Sequence, residues 1–211
     1  MVRAVDSNTY DYLHSRQGVI PRAFVWISAK NRETGSIETV GFWNGLDSVE
    51  VSVISGVTGS PVSREYHAAG SLLDVGPITR TPELEVRTLR ISLSQISEAV
   101  QLAVRGYDVR HAPIEIHEGY LDRESRLLIA PPIIDFVGWI NGAPINTPAA
   151  GGKGSIMLDC VSHSRMLTRT NPAKKSHETQ KRRSNDQFRK YNSVANQWQY
   201  WWGEREGETM G

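Results

Sequence analysis

The sequence predicts a mainly β protein, a small barrel or sandwich with one short helix, followed by an extended C-terminal arm. Three observations predict it. Between residues 23 and 162, runs rich in Val, Ile, Phe and Trp are separated by Gly-, Pro- and Asn-marked turns, the punctuation of short strands. In the middle of this stretch the apolar period changes once, from two to 3.6, over residues 94–104. After Arg165 aliphatic side chains nearly vanish and basic and aromatic ones take over. The chain therefore divides into an N-terminal helix or arm (1–20), a β-rich domain (21–165) and a basic, Trp-ended arm (166–211).

Each element has its own signal. Residues 7–17 suit a short helix, with Ser7 or Asn8 as the cap and Tyr10, Leu13 and His14 at helical spacing. Residues 23–29, Ala-Phe-Val-Trp-Ile-Ser-Ala, read as a strand buried on both faces. A turn at 31–35 and a second strand at 36–43 make a hairpin with it. Asn44-Gly45 is a further turn, and Val49, Val51 and Val53 alternate along a third strand. Residues 63–68 are ambiguous. Leu84, Val86, Leu89, Ile91 and Leu93 form a strand whose phase slips near Arg87-Thr88, which a β-bulge would explain. Ile96, Ala99, Val100 and Ala103 then share one helix face, which would pack on the sheet. Strands return at 113–121, 133–140 and 155–162, with a short apolar piece at 127–130 and a long loop over 141–154.

The bulk numbers exclude several classes of function. The formal net charge of +1 gives no global field toward nucleic acid or anionic lipid. No window approaches the roughly 18 apolar residues of a membrane helix, and residues 1–7 do not read as a signal peptide. The one cysteine, Cys160, permits neither an intrachain disulfide nor a cysteine metal cluster, in keeping with synthesis in a reducing cytoplasm.

No catalytic set emerges. GxSxG, HExxH, GxGxxG, CxxC and a P-loop are all missing. The segment 151–154, Gly-Gly-Lys-Gly, lacks the phosphate-loop frame and reads as a hairpin loop. His67, His111, His117, His163 and His177 have no metal-ligand spacing. Cys160, in an alternating strand, reads as a small buried hydrophobe. Glu115 with Glu118, and Asp122 with Glu124, read as solvated turn charges rather than as carboxylates facing across a cleft. The expectation is a protein that is not an enzyme and holds no cofactor or metal.

The arm carries the candidate binding residues: Arg169, Lys174, Lys175, Arg182, Arg183, Phe188, Tyr191, Trp198, Trp201 and Trp202. Interleaved cations and rings suit single-stranded nucleic acid, and they also suit protein contacts, where Arg and Trp are favoured anchors. The acidic end (Glu204, Glu206, Glu208) and the near-neutral chain favour protein contact. The arm is expected to lie over a neighbouring subunit.

The order of elements over residues 23–165 resembles the tail tip hub proteins of lambda-like siphophages and of gene transfer agents. The resemblance runs through residues 40–45 (Val-Gly-Phe-Trp-Asn-Gly) and a strand at 84–93 passing straight into a helix. It continues through 106–110 (Gly-Tyr-Asp-Val-Arg), 114–122 (Ile-Glu-Ile-His-Glu-Gly-Tyr-Leu-Asp) and 134–140 (Ile-Asp-Phe-Val-Gly-Trp-Ile). The segments 169–172, 176–180, 186–191 and 201–203 are similar to the ends of siphophage tail proteins. The resemblance implies a virion component at the tail tip, made in the host cytoplasm. It implies a ring, a homotrimer with a hexamer as the alternative, which joins the sixfold tail tube and distal tail protein to the threefold central tip or fibre. The strands would form a wall around a lumen through which DNA at most passes, and no membrane partner is implied. The distal tail protein, a hexameric ring one layer above, is the closest alternative. The lambda-like hub carries a Cys-rich C-terminal segment with an iron–sulfur cluster. With Cys160 alone, that cofactor does not carry over.

Overall fold

The computed structural model describes residues 5–69, 73–78, 83, 85–94, 106–146 and 154–197. The chain is mainly β, as predicted. Helix α1 (Ser7–His14) precedes strands β1 (Ile20–Asn31), β2 (Ile37–Trp43), β3 (Val49–Ile54) and β4 (Pro61–Ala68). Then come β5 (Leu73–Val75), β6 (Thr88–Ser94), β7 (Tyr107–Asp108) and β8 (Pro113–Leu121). The last strands are β9 (Ile133–Gly142), β10 (Ile145–Asn146) and β11 (Ser155–Ser162), followed by a 3-10 turn (His163–Thr168). Contacts divide the chain after Thr168 into a sheet unit and a C-terminal unit.

All the strands belong to one sheet in the order β3-β4-β2-β1-β8-β9-β11-β6-β5, with β10 beside β11 and β7 beside β1. Every pairing is antiparallel except β2 with β4, which run parallel over Phe42–His67 and Trp43–Ala68. The main core takes the inward side chains of seven strands, among them Val25, Ile27, Phe42, Leu73, Ile91, Ile114, Ile116, Ile140 and Leu158. Among the described residues, no helix contributes to it.

Strand β1 is buried on both faces, and the reason lies in the β3–β4 hairpin. Val25, Ile27 and Ala29 enter the main core, whereas Phe24 and Trp26 point the other way. The hairpin covers that second face with Val51, Val53 and Tyr66. Phe24 stacks on Trp43 at 5.2 Å and takes the edge of Tyr66 at 5.1 Å, geometries the ring quadrupole favours. The result is a local sandwich of the sheet with its own hairpin.

One open stretch is resolved and three expectations are corrected. The ambiguous stretch 63–68 is strand, inside β4, because Arg64 and Tyr66 face the covered side while Ser63 and Glu65 face out. No bulge breaks β6: it begins at Thr88 and pairs with β11 in one register from Thr88 to Ser94. The phase slip arises because Glu85, Val86 and Arg87 precede the strand. Asp6, not Ser7 or Asn8, caps α1, its carboxylate accepting from the Asn8 amide. The expected loop 141–154 contains the end of β9 and all of β10, because Ile145 pairs with Ile156. The predicted helix over 94–104 lies outside the described residues beyond Ser94, as do residues 151–153 of the Gly-Gly-Lys-Gly segment.

Gly41 is a point of close approach between hairpin and sheet. A Cβ there would lie 2.5 Å from the Glu65 carbonyl and 2.8 Å from the Tyr66 ring, so backbone would have to move. We predict that Gly41→Ala destabilises the sheet unit by about 1–3 kcal/mol, the usual cost of overpacking. Urea denaturation would check this, and an unchanged midpoint would show that the hairpin does not dock as described.

Candidate interaction surface

The hairpin presents one face to the sheet and one to solvent, and a buried ionic clamp holds it so. On an antiparallel pair, directly opposite residues share a face. Trp26 lies opposite Glu115 and Phe24 opposite His117, so β1 and β8 set two rings beside a carboxylate and an imidazole. Arg64 reaches down from β4, and its Nη1 donates to Glu115 Oε2 at 2.8 Å, both side chains being buried. Its guanidinium also lies 4.8 Å from the centre of the Trp26 ring, a cation–π contact strengthened by desolvation. The Gly56 amide donates to the same carboxylate at 3.0 Å, and His117 Nε2 donates to the Ile54 carbonyl at 2.9 Å. One carboxylate thus grips the hairpin by a side chain and by its turn.

The electrostatics follow from burial. Burial pulls the Glu115 carboxyl upward, but Arg64, the Gly56 amide and the charge field outweigh it, leaving it below its ordinary value. Burial pushes His117 below its ordinary value, against the pull of the Ile54 carbonyl and Glu115. The imidazole is therefore neutral, with its Nδ1 buried and without a hydrogen bond. Burial also raises the Tyr66 phenol, against the pull of Arg64.

This clamp corrects the reading of Glu115 as a solvated turn charge: it sits inside β8 and is 5% exposed. Alternation along β8 put Glu115 opposite in facing to Ile114 and Ile116, but only the covering hairpin buries it. Asp122 does lie in a turn, accepting from the Glu124 and Ser125 amides. Cys160 is buried, and burial together with Asp159 pushes its thiol up to about 12, so it is no nucleophile at neutral pH. His163 stacks on Trp139, and His67 lies against Phe42. Among the described residues, no His, Cys, Asp and Glu side chains cluster as metal ligands, and no helix is long and apolar enough to cross a membrane.

The hairpin's outer face is the ladder Glu50–Glu65, Ser52–Ser63 and Ile54–Pro61, all exposed. Val57, 69% exposed at the turn, extends its apolar end. An open depression of about 400 Å³ lies at the acidic end, lined by Ser48, Val49, Glu50 and Glu65.

The C-terminal unit holds the other candidate residues. Ser176 caps a short helix α2 (His177–Lys181), and a succession of turns follows to Gln197. Asp186 ties these turns together, accepting from Gln180 Nε2 at 2.8 Å and from the Phe188 amide at 2.9 Å. Arg169, Lys174 and Lys175 precede α2, and Arg182 and Arg183 follow it, all exposed. Phe188 is 86% and Tyr191 61% exposed, with the Lys190 ammonium over the Tyr191 ring. Trp198, Trp201 and Trp202 lie outside the described residues. Among the described residues, the unit thus shows solvent Arg169, Lys174, Lys175, Arg182, Arg183, Phe188 and Tyr191. No family model matches the chain, and no curated protein does.

Two predictions follow from the clamp. Glu115→Ala leaves Arg64 buried without a counter-ion and should cost about 3–5 kcal/mol, whereas Arg64→Met with Glu115→Leu should cost much less, as read by urea denaturation. The pH dependence has one sign for both groups. The folded values of His117 and Glu115 lie below their ordinary 6.5 and 4.5, so the unfolded chain binds protons first as pH falls. Stability should be full above pH 6.5, decline below it as His117 resists protonation, and fall further below 4.5. Thermal melts of His117→Gln, which keeps a donor for Ile54, should lack the first decline.

Proposed function

We propose that this chain is a structural component of a virus particle, a subunit of a ring in a long non-contractile tail. Within that class the reading is the tail tip hub, which joins the sixfold tube and distal tail ring to the threefold central tip. The observation that carries it is the pairing of two things in one chain. A β unit ends in strand edges, β3 and β5, that are hydrogen-bonded on one side only among the described residues. A separate unit leaves Arg182, Arg183, Phe188 and Tyr191 exposed among its described residues.

Exposed strand edges are an aggregation liability unless a partner covers them, and a closed ring covers them at every interface. Exposed aromatic side chains bring large apolar area to a contact, and arginines add charge-assisted hydrogen bonds. The order of elements over residues 23–165, similar to that of tail hubs, supports placing such a ring at the tail tip. No chemistry is assigned to it: its work is to close a ring and to fasten neighbours.

The test is truncation after Thr168, at the boundary between the units. The shortened chain should keep the thermal stability of the sheet unit, yet particles made with it should lack a complete tail. Intact tails would overturn the reading. Electron-microscope images of wild-type tail tips with this chain labelled should show threefold symmetry. A sixfold ring would move it one layer up, to the distal tail protein.

A further inference from the structure

The outer face of the β3–β4 hairpin carries an electrostatic flaw within one chain. Glu50 and Glu65 are directly opposed on an exposed antiparallel pair, an arrangement that is destabilising when unpartnered. The six outward side chains of the ladder include no cation. The nearest arginine along the strand, Arg64, points inward and is held by Glu115. Glu50 takes a hydrogen bond from Ser63 Oγ, which orients the carboxylate without neutralising it. About 13 Å along the strand, at ~3.3 Å per residue, the same face turns apolar at Ile54 and Pro61, beside the exposed Val57.

The C-terminal unit has the complementary order. Arg182 and Arg183 come first, exposed at the end of α2, and the exposed rings of Phe188 and Tyr191 follow within nine residues. One surface runs from acid to apolar and the other from base to aromatic; within the second, Asp186 answers part of the Arg183 charge, and Arg182 and both rings are exposed. We propose that the 182–191 segment of one chain docks on the outer hairpin face of a second copy. Arg182 and Arg183 would lie against Glu50 and Glu65, with the rings toward Ile54, Pro61 and Val57. This inference rests on the ring reading above and names the surface that the arm grips. The buried clamp then has a mechanical use: a pull on the arm is carried through the hairpin into β8, at the centre of the sheet.

The test is a charge swap in the purified full-length chain, read by sedimentation. Wild type should self-associate, more weakly as salt rises. The pair E50K/E65K and the pair R182E/R183E should each weaken self-association by on the order of tenfold or more. Mixing the two variants should restore association, because each surface then meets its opposite charge, and so should all four changes in one chain. Unchanged melting of each variant separates lost docking from lost folding. A wild type that stays monomeric, the outcome expected of an arm that folds back on its own hairpin, or a mixture that stays dissociated would overturn the proposal. Detection of the chain in purified particles tests the ring reading separately. A failed swap with the chain present in tails sinks only the docking, and a successful swap with the chain missing from tails sinks only the tail reading.

Discussion

The buried pair of Arg64 and Glu115 is the constraint on which the arrangement of this protein depends. A carboxylate inside a sheet is tolerable only if its charge is answered, because desolvation costs each ion several kcal/mol. The answering guanidinium comes from another layer, so the hairpin cannot leave the sheet without exposing both ions to an unpaired state. The same carboxylate accepts the Gly56 amide, and His117 beside it binds the Ile54 carbonyl. These contacts fix the hairpin's turn as well as its strand. Such a network adds little net stability compared with an apolar core, but it specifies one docking register.

That register determines what the molecule shows to solvent. With Arg64, Tyr66, Val51 and Val53 committed inward, Glu50, Glu65, Ile54 and Pro61 must face outward, since neighbours on a strand alternate. The Gly41 backbone sits under Glu65 and Tyr66 with no room for a side chain. The two-residue parallel pairing of β2 with β4 closes the inner end. Surface chemistry on one side of the hairpin is thus a direct consequence of the ionic chemistry on the other.

The C-terminal unit is built on a different principle. Its turns are closed by local hydrogen bonds to Asp186 and Ser176, and among its described residues Phe188 and Tyr191 are exposed. A segment that buries so little apolar area gains little from its own packing. Its side-chain inventory suits contact with another surface, which is why the functional reading places it at an interface.

The sequence by itself determined the fold class and most strands. Those features follow from local signals: alternation, Gly and Pro punctuation, and aliphatic content. It also determined that β1 is buried on both faces, because Phe24 and Trp26 alternate with Val25 and Ile27, leaving no polar side. The tertiary structure alone decided what covers that second face. Residues 63–68 have no clear period, because Arg64 is an inward residue with a charged side chain. Glu115 looked like a surface acid for the matching reason. Each of the two residues contradicts its local pattern, and each is explained only by the other, 51 positions away. Pairing across that distance depends on the path of the chain through β1, β8 and the hairpin, which no local window of sequence contains.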